Sequence, residues 1–194
     1  MEKSLPYGAK VLSLILYSDA TNVDSLGKSQ LHPIFVTIGN IKNWRRNKQD
    51  AKQLLGYLPI LKAVNKSEKK SEEFKIAVRQ TFHKSLEVLL DCFLSSKNGI
   101  NLEINNAKIW FFPRISIIIA DWPEAATYCL TYKSPMATFP CHFCLVSRGN
   151  LPNMDLIPSE MELRTHSKMR QHFDQSSTNS VCIENLKNFF WKFS

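Results

Sequence analysis

Apolar residues recur along the chain in two rhythms. KVLSLILYS (residues 10–18) and HPIFVTIG (32–39) are short runs rich in β-branched and aromatic residues, the composition of strands. The polar DATNVDSLGKSQ between them reads as a hairpin connection longer than a tight turn. A third apolar run, AKQLLGYLPIL, is punctuated by Gly56 and stopped by Pro59. Together they predict an antiparallel start of three strands, from about residue 11 to residue 60.

The period then changes. From Ser71 to Leu94 the positions Phe74, Val78, Phe82, Leu86, Leu89, Leu90 and Phe93 recur every three or four residues, and SEKKSEE puts acids near the start. The pattern predicts an amphipathic helix near 70–97, closed by Asn98-Gly99. INLEIN then alternates like a strand. FPRISIIIADWPE is a near-continuous apolar run, the pattern of a central strand buried on both faces and ending at Asp121. Pro123 can open a following helix with EAATYCLTY as its body. The expected class is α/β.

Two strand candidates thus deliver a carboxylate at their carboxyl ends, Asp19 and Asp121. Rigid strand tips can bring two acids to one divalent metal. The plainer alternative is that Asp19 opens a turn and Asp121 caps the next helix, both frequent uses of Asp.

Composition narrows the partner. A chain of 194 residues with 44% hydrophobic and 11% aromatic content can build one full core, so one domain is expected. Twenty-five Lys and Arg against 17 Asp and Glu leave +8, which suits a phosphate-bearing partner or simply a basic surface. No apolar run reaches 18 residues and no basic-then-apolar leader is visible, so neither a membrane span nor secretion is expected and the compartment reads as intracellular.

Of five cysteines, Cys92, Cys129 and Cys182 sit among apolar neighbours and read as core residues. Cys141 and Cys144 form C-x-x-C after Pro140, which can be half of a zinc site, two unpaired structural cysteines or a redox pair. His142 lies inside the pair, and His166 and His172 follow as candidate nitrogen ligands. Upstream, NWRRNKQDAK places Trp44, Arg45, Arg46 and Lys48 between the second and third strand candidates, where a loop can reach a phosphate backbone. KAVNKSEKK mixes its charges and reads equally as a solvated helix entrance.

In order, LYSDATNVDSLGKSQLHPIFVTIGNI, QLLGYLPIL, ADWPE and PCHFC resemble the catalytic region of Plavaka-type transposases, relatives of the CACTA transposons abundant in fungal genomes. The resemblance spans nearly the whole chain. It implies an RNase H-like core with a D, D, E triad, Asp19 matching the first acid on the first strand and Asp121 the second on the fourth, with C-x-x-C about twenty residues later. In such enzymes two Mg²⁺ (or Mn²⁺) ions roughly 3.5–4 Å apart serve in-line attack on a DNA phosphodiester. The implied partners are transposon ends and target DNA, with oligomers possible in the intact protein, no membrane, and a nuclear location.

The family's helical insertion, with the catalytic Glu and zinc-completing His residues after it, is matched only in its beginning. Glu160, Glu162 and Glu184 have no context like the family's final acidic motif. The expected division is an incomplete catalytic core over 1–150 and the start of the insertion over 151–194, a fragment from a degenerate copy or partial gene model that starts abruptly at Met1. Two functions follow: a piece of a cut-and-paste DNA transposase, or a decayed or domesticated DNA-binding module without turnover.

Overall fold

The computed structural model describes residues 5–25, 29–94, 98–157, 159 and 161–193. The fold is mixed α/β and divides into two compact units, one made of Met1–Ile60 with Ser85–Ala120, the other of Leu61–Lys84 with Asp121–Ser194. In chain order the elements are β1 (Lys10–Ser18), β2 (Thr21–Asn22), β3 (Gln30–Leu31), β4 (Pro33–Ile38), α1 (Asn43–Arg46), β5 (Gln53–Tyr57), α2 (Lys66–Lys70), α3 (Glu72–Leu94), β6 (Ile100–Ile104), β7 (Ala107–Ile119), α4 (Trp122–Cys129) and α5 (His166–Asp174). The first part of α3 belongs to the second unit and its last part to the first.

The first unit is a five-stranded sheet in the order β5–β4–β1–β7–β6. As the three early apolar runs predict, β4 is antiparallel to β1 and β5 antiparallel to β4. β7 adds parallel to β1 on its other edge, and β6 turns back against β7. The polar connection after β1 forms the small β2–β3 ribbon.

Local chemistry explains the irregular places. Ile104 pairs with Ala107 across a two-residue turn, Asn105-Asn106, with φ of 52° and 61°. Both central residues of such a turn need positive φ, which Asn tolerates better than most side chains. Pro113 sits inside β7 without an N–H to give, but β6 begins at Ile100 opposite Phe111 and reaches no further along β7, so only the β1 edge is paired there.

One sheet face carries the core of this unit. Leu14, Leu16, Ser18 and Ile34 are buried, as are Leu86 and Leu90 of α3, and Gly56 leaves room for Leu89 of that helix. Each such Leu or Ile contributes about 1.5–3 kcal/mol by leaving water.

The other face departs from expectation. β7 is interior in the sheet, but it is not buried on both faces: Ile117 is 52% exposed and Ile119 49%, beside Tyr17, which pairs with Ile119 and Phe35, and Leu54, which pairs with Phe35. An apolar run reports the strand and not whether a second layer covers it. β7 also stops at Ile119 rather than at Asp121.

In the second unit, Met169, Val181, Ile183 and Trp191 form a core with Leu145 and Phe173 packed on it. Residues 182–184 run beside 130–132: Tyr132 N–H donates to Cys182 O at 3.0 Å and Glu184 N–H to Leu130 O at 2.7 Å. Of the three cysteines expected in a core, Cys182 is buried, Cys129 is exposed, and the Cys92 side chain lies outside the described residues. Cys129 closes α4, exposed as a residue while burial around its thiol pushes the pKa up to about 11. No described helix is long and apolar enough to cross a membrane.

Candidate functional site

Asp19 follows the last residue of β1, is exposed, and accepts a hydrogen bond through Oδ2 from the Tyr17 hydroxyl at 3.3 Å. The strand end beneath it is pinned. Ser18 is fully buried and its Oγ lies 2.9 Å from Nε2 of the half-buried His32. The His32 carbonyl in turn accepts from Leu58 N–H at 2.8 Å, so one residue ties the end of β1 to the start of β4 and the end of β5.

Asp121 is the N-cap of α4. Its Oδ1 accepts from Glu124 N–H at 2.8 Å, and its backbone is extended while Pro123 stands in the first helical turn. The helix-capping alternative is therefore realised, and a cap still leaves the second carboxylate oxygen for other work. Within the first unit, β1 and β7 are parallel neighbours with Tyr17 opposite Ile119. Asp19 lies in the first unit and Asp121 opens the later part of the second.

Among the described residues no group of three or more His, Cys, Asp and Glu is arranged to hold a metal. Glu162 is paired with Lys168 at 2.9 Å, Glu184 with Arg79 at 2.6 Å, and Glu160 lies outside the described residues.

Cys141 is half-buried and Cys144 buried, on the loop after Pro140. Phe143 N–H donates to Cys141 Sγ at 3.3 Å. Burial raises the Cys144 thiol above its ordinary range, opposed by the Val146 N–H that donates to it and reinforced by its hydrogen bond with Cys141. Each sulfur thus meets the backbone N–H of the residue two positions on. His142 packs its ring against Trp122 and Phe143, with centroids at 4.6 and 4.3 Å, and its buried Nδ1 has no hydrogen-bond partner. Burial, and next the Arg164 charge, lower its pKa. His166 opens α5, and His172 Nδ1 lies 2.9 Å from Ser177 Oγ.

Arg164 organises this loop. Its Nε donates to Cys141 O at 2.8 Å, Nη2 to Phe139 O at 2.9 Å and Nη1 to Val181 O at 2.6 Å. Burial depresses the guanidinium pKa, and the Cys182 and Cys141 thiols work against that. A single Arg in MELRTHS offers no motif by which sequence could have found it.

The basic stretch is partly helical. α1 is a single turn with Trp44 66% exposed. Arg45 is bound to Asp50 through two hydrogen bonds of 2.8 and 2.6 Å, so of the three expected phosphate-binding cations one is already engaged. Arg46 donates to Asn43 Oδ1 at 3.3 Å, and Lys48 is exposed.

A family model described as Plavaka transposase matches residues 1–193. No curated protein matches the chain.

Proposed function

The chain belongs to the Plavaka transposase family, and from that premise we propose that it is the aspartate-bearing part of a DNA transposase, with Asp19 and Asp121 as its metal-holding acids. The observation that carries the reading is strand register. Tyr17 of β1 pairs in parallel with Ile119 of β7, and an aspartate follows two residues after each. Three antiparallel strands, a long helix and then a strand parallel to the first is also the succession of an RNase H-like core, and we read the sheet as one.

The donor set suits Mg²⁺ or Mn²⁺ in kind. Both acids are exposed, and Oδ1 of Asp19 and Oδ2 of Asp121 lie outside the hydrogen bonds described. Hard carboxylate oxygens are what these ions take. Once bound, such an ion polarises a phosphodiester and acidifies water. An ion held by aspartate oxygens alone keeps most of its octahedral shell as water, so we expect DNA binding with weak cutting. DNA is the partner in this reading, and the nucleus its compartment.

Cys141 and Cys144 are, in the same reading, half of a Zn²⁺ site. Two cysteines on one tight loop can reach one tetrahedral ion, and the backbone N–H groups at the sulfurs help the thiolates that zinc requires against the burial that raises the Cys144 pKa. The unpartnered Nδ1 of His142 is a polar atom nearby that lacks a mate.

The test is Mn²⁺-dependent nicking of supercoiled plasmid, beside Mn²⁺ binding by electron paramagnetic resonance. Slow nicking and Mn²⁺ binding that Asp19→Ala and Asp121→Ala each abolish are expected. Nicking and Mn²⁺ binding untouched by both substitutions would overturn the assignment.

A further inference from the structure

We propose that the segment between β4 and β5 is a docking surface for single-stranded DNA, on which the indole of Trp44 stacks against an unpaired base while Arg46 and Lys48 hold flanking phosphates. The inference rests on the reading that the chain acts on DNA, and adds the form in which that DNA is met.

Trp44 is the first observation. An indole 66% exposed on a one-turn helix leaves a large apolar face in water, where it has an amphipathic ring to offer. The second observation is that the segment is held in place. The Asn40 side chain accepts from Ser13 N–H at 2.8 Å and donates to Val11 O at 3.0 Å, and Gly39 N–H donates to Ser13 O at 2.7 Å. A Cβ on Gly39 would collide with the Ser13 hydroxyl, so only glycine lets the backbone lie this close to β1. At the other end Thr37 Oγ1 donates to Ala51 O at 2.7 Å, and the Arg45–Asp50 pair cross-links the segment internally. An exposed aromatic on a fixed support loses little freedom on binding.

Charge states the chemistry of the partner. Residues 42–52 carry Lys42, Arg45, Arg46, Lys48 and Lys52 against Asp50 alone. A polyanion is called for. Duplex DNA would satisfy the cations, but its bases are already stacked on one another. Only an unpaired base presents a π-face to the indole, and such stacking tolerates any sequence. Aromatic and cations together therefore fit single-stranded DNA better than duplex.

The experiment is fluorescence anisotropy at fixed salt with the full chain and three labelled probes of about a dozen nucleotides: a single strand, its duplex, and a single strand of abasic sites that keeps the phosphates. The wild type is expected to bind the normal single strand best. Trp44→Ala should weaken that binding about tenfold or more, leave duplex binding unchanged, and remove the preference over the abasic strand. Trp44→Phe, which keeps an aromatic face, should retain part of the preference, and Trp44→Leu, which keeps apolar bulk alone, should not. Lys48→Ala should weaken all three probes by a similar factor. Equal binding of normal and abasic strands by the wild type, an unchanged Trp44→Ala, or equal competition by polyglutamate would overturn the proposal. None of these variants alters Asp19 or Asp121, so the nicking and Mn²⁺ measurements stand or fall separately.

Discussion

The buried hydroxyl of Ser18 lies 2.9 Å from Nε2 of His32, and this contact fixes the strand end from which Asp19 emerges. Removing the hydroxyl takes a hydrogen bond from a site that water reaches poorly, which costs more than at a surface. Ser18→Ala is expected to lower stability by about 1–3 kcal/mol in urea unfolding. A midpoint equal to that of the wild type would show that the contact carries no load.

His83 is a buried imidazole with a defined tautomer. Phe189 N–H donates to Nδ1 at 3.3 Å, so Nε2 holds the proton and gives it to Thr127 O at 3.0 Å. Burial drives the pKa from 6.5 to about 4, and the Thr127 carbonyl opposes the shift. Protonation would remove the Nδ1 lone pair and put a charge in the core. The unfolded chain takes up this proton more readily than the folded one between pH 6.5 and about 4, so stability falls as pH falls through that window. The loss approaches about 3 kcal/mol at the acid end. His83→Gln should flatten the slope of unfolding free energy against pH over the same range; an identical slope would assign the effect to another group.

Periodicity made the skeleton readable. The apolar residues of α3 recur every three or four positions because one face of a helix repeats at that spacing, and the observed Glu72–Leu94 follows. The order of β1, β4 and β5 came from turn residues between β-branched runs. Exposure was not legible, because Ile117 and Ile119 differ from core isoleucines only in what lies over them. The candidate site was half legible: strand ends were visible at Asp19 and Asp121, but the Ser18–His32 contact, the Arg45–Asp50 pair and the Arg164 hub join residues whose partners sequence does not name.

Arg164 spans three carbonyls that no other single side chain could reach in the same fork. Lysine keeps the charge but offers a point of donors instead of a plane. Arg164→Lys is expected to cost about 2–4 kcal/mol by leaving at least one or two half-buried carbonyls without a donor. Near-ultraviolet circular dichroism during thermal unfolding will read the loss, and an unshifted transition would refute the hub.

The thiol pair makes a separate statement. If Cys141 and Cys144 hold Zn²⁺, protein purified without chelator should contain the metal, and Cys144→Ser should remove it while lowering the melting temperature, since metal-binding energy is folding energy. Elemental analysis is the readout. A zinc-free wild type whose melting temperature is unmoved by added Zn²⁺ would leave the pair as ordinary thiols.

The Arg45–Asp50 pair yields the sharpest prediction about DNA binding. The two side chains meet through two hydrogen bonds on an exposed surface, and this contact holds the Asp50 carboxyl below and the Arg45 guanidinium above its usual range. A cation already matched by a carboxylate releases few counterions from DNA, so it adds little to the salt dependence of binding. Lys48, with no such neighbour described, should add a full contact. On a plot of log affinity against log salt concentration, Lys48→Ala should make the slope shallower by about 0.9 on duplex DNA, and Arg45→Ala should change it much less. Asp50→Asn reverses the balance. It frees Arg45 and removes a negative charge, so affinity should rise and the slope steepen by up to about 0.9. If Arg45→Ala and Lys48→Ala shift the slope equally and Asp50→Asn leaves it unchanged, the ion pair must open on DNA and Arg45 must contact phosphate as directly as Lys48.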